Sequence, residues 1–259
     1  MSPTTPQITP ELSQAPTLLA LASLAPLDAP PLNLYLAAVD ALVQWQLSPV
    51  DAVAPATDAT TLMRQLQGFS HGYLLGYRQY VLDDGMRKTV DDAFATVVAQ
   101  YLALPTVVVH GGFGPDQLLL ASHPQASFAV SAPSVVTVGP VGYDIASLTR
   151  DPRLLWDEAF TLDVAIRYWD KARKAGLPVG TDFGEFYRGL EWAALLRHLT
   201  TLGERAHAAA ADAIPEDSRA LMALILTTCN RYIELKPLLR LLERIEGLDV
   251  QGGFVFGRM

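Results

Sequence analysis

A single cysteine among 259 residues rules out an internal disulfide and any cysteine-rich metal site. A reducing, cytoplasmic setting is therefore the expected one. Lysine is almost as scarce, at positions 88, 171, 174 and 236 only. With 19 basic against 27 acidic side chains, the formal net charge is −8. Phosphate-rich polymers and anionic lipid surfaces are bound through clustered Lys and Arg, so neither nucleic acid nor membrane is expected as a partner. No apolar stretch of spanning length occurs outside the proline-broken N-terminus, despite a mean hydropathy of +0.22.

The first 63 residues hold no basic side chain, the first glycine is Gly68 and the first lysine is Lys88. A secretory signal needs a basic start before its apolar stretch, and Thr17 to Ala25 has only the stretch. Residues 1–31 carry seven of the 18 prolines, a spacing that forbids a continuous helix. They are expected to form a Pro-rich arm ahead of one domain spanning residues 32–259.

Within that domain the apolar periodicity predicts a helix opening at Asn33 and ending at Ser48. A second, Asp58 to Tyr80, is expected to bend near Gly72, and a third runs from Thr89 to about Ala103. Thr106 to Val109 is a β-branched run of the kind found in buried strands, and it enters the Gly-rich loop His110-Gly111-Gly112-Phe113-Gly114-Pro115. Two short extended segments, Gln117 to Ala121 and Ser127 to Ser131, predict a hairpin. Beyond Gly139-Pro140 the pattern is helical: Tyr143 to Thr149, Leu154 to Ala175, Asp182 to His207 and Glu216 to Glu246. The fold class is α+β and mainly helical, with a small inserted β-hairpin sheet.

Pro115 removes a donor from the Gly-rich loop, and no Lys or Ser/Thr follows at phosphate-loop spacing, so the loop reads as a structural turn. His110 has no Ser or Cys nucleophile nearby. Cys229 and His198 lie on apolar faces and read as core residues. Arg150, Asp151, Arg153, Asp157, Glu158 and Arg173 read as a solvated charged face.

The order strand, Gly-rich loop, hairpin, then Gly139-Pro140-Val141-Gly142-Tyr143-Asp144 opening a helix resembles the C-terminal lobe of the aminoglycoside phosphotransferase and choline kinase superfamily. Its nearest branch is the sugar kinases that act on N-acetylmuramate and N-acetylglucosamine in cell-wall recycling. Further support comes from Ser147-Leu148-Thr149-Arg150-Asp151, Glu191-Trp192, Arg197-His198-Leu199 and Arg231-Tyr232-Ile233-Glu234-Leu235-Lys236-Pro237. The resemblance covers roughly residues 33–246.

It implies a catalytic loop His-x-Asp-x-x-x-x-Asn, which aligns His110 with the histidine, Gly112 with the aspartate and Gln117 with the metal-binding asparagine. The family's Mg²⁺-binding aspartate falls on Ala132, and a second aspartate on Val135. His110 and Asp144 match positions that brace the loop. The family also carries an upper lobe with a phosphate loop and a lysine, and residues 1–31 supply neither Gly nor Lys for such a roof.

These departures lead to the expectation of a pseudokinase with a non-catalytic binding or regulatory role and no ATP or Mg²⁺. An amino-sugar-like ligand, a protein partner or a second copy of the chain would occupy its exposed face. The alternative is a residual or rewired amino-sugar phosphotransferase, with ATP and Mg²⁺ restored and Asp116 as the acid. A chain without selected activity is a third reading.

Overall fold

The computed structural model describes residues 14–26, 28–48, 53–122, 127–133, 136–209 and 217–248. Val135 and Glu216, each part of the sequence pattern above, lie outside them, as do residues 1–13 of the arm.

The chain runs α1 (Leu18–Ala22), α2 (Leu32–Leu47), α3 (Ala59–Gly68), a π-helical segment (Phe69–Tyr77), α4 (Asp84–Leu102) and β1 (Thr106–Val109). A 3₁₀ turn (Pro115–Gln117) leads into β2 (Leu118–Ser122), β3 (Ser127–Val130), β4 (Thr137–Pro140) and α5 (Tyr143–Thr149). Then come α6 (Glu158–Lys174), α7 (Phe183–Ala208), α8 (Ser218–Arg231), a 3₁₀ turn (Ile233–Leu235) and α9 (Lys236–Glu246). The class is α+β and mainly helical.

Four helices begin by one device. Asp58, Asp83, Asp157 and Asp182 each accept a hydrogen bond from the backbone N–H three residues on, at 2.7, 2.8, 2.8 and 2.9 Å. Such a cap is worth about 1 kcal/mol, because it pairs a donor that the first turn leaves unsatisfied. Asp83 moves the start of α4 to Asp84, five residues before the expected Thr89. Helix α2 starts at Leu32 with Pro31 in the cap position, so Asn33 lies inside it rather than capping it.

The strands form two antiparallel pairs. β1 pairs with β4, from Thr106 opposite Pro140 to Val109 opposite Thr137, and β2 pairs with β3, from Leu118 opposite Val130. The β4 strand occupies a stretch whose Gly139-Pro140 pair predicts only a break before the next helix.

Helix α7 is the spine. Trp192, Leu195, Leu196, Leu199 and Leu202 recur at three- and four-residue steps and pack with α3, α4, α8 and α9 in one core. Phe186, Leu190 and Ala194, one turn apart, join a second core with α1, α2, α5 and α6. On the first side α7 meets the π-helical segment backbone to backbone. A Cβ on Gly72 would lie 2.6 Å from the Gly203 carbonyl oxygen, and one on Gly203 would lie 2.5 Å from the Phe69 nitrogen. The bend expected near Gly72 is this change of helix type from Phe69 onward. The loop His110 to Gln117 lies over the second core, anchored by fully buried Phe113 and Leu118.

Candidate functional site

Strand β1 delivers His110 at its end, and the chain then turns through Gly111, whose φ of +78° favours glycine. The turn hangs from Asp144 in the first turn of α5. Its Oδ2 accepts the His110 backbone N–H at 2.8 Å, and its Oδ1 accepts that of Gly111 at 3.0 Å. Burial pushes the Asp144 carboxyl up to about 6, against the pull of those two donors and of Arg197.

The His110 ring does not reach Asp144. Its Nε2 lies 2.7 Å from the Ser131 carbonyl oxygen and its Nδ1 accepts the Gly112 N–H at 3.3 Å. This assigns the proton to Nε2. Burial also lowers its pKa, so the ring is neutral at physiological pH. Trp45 and Phe113 hold it edge-on, with ring centroids 5.2 and 5.8 Å away.

The far end of the loop is polar. Gln117 donates from Nε2 to Asp116 Oδ2 at 2.7 Å and accepts at Oε1 from the Ser131 hydroxyl at 2.5 Å. Asp116 Oδ1 accepts from Arg153 Nη2 at 2.6 Å. Arg153 is itself seated on Asp151 through Nε at 2.8 Å, Nη2 at 2.7 Å and its backbone N–H at 3.0 Å. Partial burial pushes the Asp116 carboxyl up, but the bonds from Arg153 and Gln117 outweigh it and leave the pKa below the ordinary value. Asp116 is therefore ionised at neutral pH.

Gly112 has open space beside it, for a Cβ there would meet nothing nearer than His110 Nδ1 at 3.9 Å. Ala132 is exposed. Sequence reasoning missed Arg153 as part of the site and put Arg150 and Asp151 on a solvated face. Both are in fact buried, at 9% and 2% exposure. The available signal was Asp151-x-Arg153, where an Asp side chain captures the N–H two residues on. Arg173 belongs elsewhere, beside Asp170 and over the Trp169 ring. Cys229 and His198 are core residues, the latter with Nε2 3.0 Å from the Arg150 carbonyl oxygen.

The divalent metal implied by the resemblance does not fit these residues. Ala132 has no side-chain ligand atom, and Gln117 Oε1 already accepts from the Ser131 hydroxyl. Among the described residues no group of three His, Cys, Asp or Glu could hold a metal ion.

No protein-family model matches the chain. It is, however, 35% identical over 233 residues to a protein of Neisseria meningitidis serogroup B named N-acetylmuramate/N-acetylglucosamine kinase, a match covering 86% of this chain and 67% of the relative. The chain belongs to that family. Proteins of the same name from Pseudomonas putida and Pseudomonas aeruginosa are 29% and 32% identical over 83% and 66% of this chain. The chain spans 63% and 50% of their lengths.

Among solved structures, the GDP complex of wild-type aminoglycoside 2'-phosphotransferase-IIIa superposes with a TM-score of 0.54 at 18% identity, covering 85% of this chain and 69% of that one. The GDP complex of a point mutant of the same enzyme superposes with a TM-score of 0.52 at 16% identity, covering 91% and 68%. The chain thus shares the fold of that aminoglycoside phosphotransferase.

These relatives correct the expectation of a pseudokinase. Gly112, Gln117 and Ala132 are three positions, whereas the likeness to sugar kinases extends over 233 aligned residues. The balance favours the alternative, an amino-sugar phosphotransferase. Among the described residues no helix is long and apolar enough to cross a membrane.

Proposed function

We propose that the chain supports transfer of a phosphoryl group from a nucleotide to a hydroxyl of an N-acetylated amino sugar. The observation that carries this is the 35% identity to an N-acetylmuramate/N-acetylglucosamine kinase across most of the chain. The site's chemistry is compatible with it. Phosphoryl transfer proceeds through a loose transition state in which positioning and charge stabilisation outweigh proton abstraction. A carboxylate with a depressed pKa is a weak base, yet it orients an acceptor hydroxyl by accepting its hydrogen bond.

Asp116 takes that role here. Each of its oxygens keeps a second lone pair beyond the bonds to Arg153 and Gln117. Arg153 fixes the carboxylate, and the neutral His110 ring with the Asp144 brace fixes the loop that carries it.

The test is to incubate the chain with N-acetylmuramate or N-acetylglucosamine and either ATP or GTP, following sugar phosphate by mass spectrometry. Phosphorylated sugar that disappears with Asp116→Asn is the expected result. No product with any donor and acceptor pair would overturn the assignment.

A further inference from the structure

Beside the loop, between the connection from α5 to α6 and helix α8, lies a cavity of about 200 Å³. Asp151 forms part of its wall while holding Arg153, and so the cavity adjoins the Asp116 cluster. Two arginines line it, Arg150 and Arg231. We propose that this cavity is a carboxylate subsite, built to take the acidic arm of an N-acetylmuramate-type sugar. The proposal rests on the amino-sugar phosphotransferase reading and deepens it. N-acetylmuramate is N-acetylglucosamine carrying a lactyl ether, so the two differ in charge by one carboxylate.

An exchangeable ion pair is the first support. Glu191 is almost completely buried and accepts from Arg150 Nη2 at 3.3 Å, Arg231 Nη1 at 2.6 Å and the Tyr232 hydroxyl at 2.5 Å. One buried carboxylate thus serves two guanidinium groups, while Arg153 is shared between Asp151 and Asp116. On its outer side Arg231 meets Glu158, whose Oε1 lies 2.6 Å from Arg231 Nη2. Glu158 is 59% exposed, and an ion pair with so exposed a member is weak. An incoming carboxylate can displace it and be bound by the same guanidinium.

An unpaired donor is the second support. The Arg150 side chain is 9% exposed, with Nη2 donating to the Tyr187 hydroxyl at 2.6 Å and to Glu191. Its Nε is buried without a hydrogen-bond partner. Buried polar groups are paired in native proteins, and an orphaned donor on a cation is a costly exception that a bound anion removes. The cavity wall also carries Thr161 and Thr227, whose hydroxyl protons are committed to the backbone carbonyls of their own helices. Their oxygens are left to accept from sugar hydroxyls.

The experiment is calorimetric titration of the full chain with N-acetylmuramate, N-acetylglucosamine and D-lactate. N-acetylmuramate is expected to bind about tenfold tighter than N-acetylglucosamine, the scale of one charge-assisted hydrogen-bonded contact. Arg231→Gln should erase that difference. Glu158→Gln removes the competing carboxylate, so it should tighten N-acetylmuramate several-fold and leave N-acetylglucosamine unchanged, a gain that impaired folding cannot imitate. Equal affinity for the two sugars, or a preference untouched by both substitutions, overturns the subsite. If neither sugar binds, the amino-sugar reading fails and D-lactate decides the subsite. D-lactate binding strengthened by Glu158→Gln upholds a carboxylate site, and its absence removes it.

Discussion

At its start the loop from His110 to Gln117 hangs from one buried carboxylate by two backbone N–H groups, whereas at its end it is clamped through side chains by a half-exposed guanidinium. The first attachment is indifferent to which residues fill the loop, because every non-proline residue offers the same donor. The second exists only while Asp116, Arg153 and Asp151 are all present. The start therefore preserves a shape and the end preserves a chemistry.

Each end is also backed by one buried titratable group, and the two respond to pH in opposite directions. His198 supports the Arg150 carbonyl behind the acid cluster, and burial, chiefly, lowers its pKa from 6.5 to about 3. The unfolded chain therefore binds more protons than the folded one across that interval, so stability is lost as pH falls through it. Asp144 is shifted from 3.8 up to about 6, the folded state binds more protons there, and stability is lost as pH rises through that range. His198 has the larger displacement, so net acid lability is expected. His198→Gln should flatten the slope of the denaturation midpoint between about pH 3 and 6.5. Asp144→Asn should steepen the same slope. Parallel profiles for the wild type and both variants would break the contrast between the two ends.

Removing the Asp144 carboxylate altogether is the next largest disturbance. Asp144→Ala leaves two buried backbone donors unpaired and should cost roughly 2–4 kcal/mol in urea denaturation. Asp144→Asn keeps an acceptor and should cost less. At the other end Asp116→Asn should leave the melting temperature nearly unchanged, since the residue is partly exposed, while phosphotransfer falls by about a hundredfold. A large stability loss with unaltered turnover would exchange the roles assigned to the two ends.

The smallest effects separate neighbouring glycines. Gly111 has φ +78°, so Gly111→Ala should cost about 1 kcal/mol through backbone strain. Gly112 lies outside the left-handed region and has free space beside it, and Gly112→Ala should stay within about 0.5 kcal/mol by the same denaturation assay.

Much of this arrangement was readable along the chain, and what was not has definite causes. The β-branched run into a Gly-rich loop located β1 and the turn, and Asp144 at a helix start followed from Gly-Pro-x-x-Tyr-Asp. Boundaries failed where a local device overrode periodicity. Asp83 begins α4 before its first apolar position. Residues 216–246 read as one helix, but the chain is extended at Tyr232 and restarts with Pro237 in the first turn of α9. The Asp116–Arg153 pair spans 37 residues and belongs to two loops, so no spacing rule could join them. Burial of Arg150 and Asp151 was equally hidden, because their mutual compensation with Glu191 and Arg153 arises only after α7 has packed.

The short helix α1 carries a consequence for how the molecule avoids its own kind. Strand β2 has β3 on one side only, which would leave a row of free backbone groups along the other. Pro16 accepts the Leu120 N–H at 3.0 Å and Thr17 bridges Leu119, while Leu18 and Ala22 are buried completely in the adjoining core. The N-terminal segment thus occupies the open edge, and proline, lacking an N–H, cannot pass the ladder on to a further strand. Proteolytic loss of residues up to Ala22 would bare a templating edge next to apolar side chains, and its first symptom would be self-association of chains that are otherwise still folded.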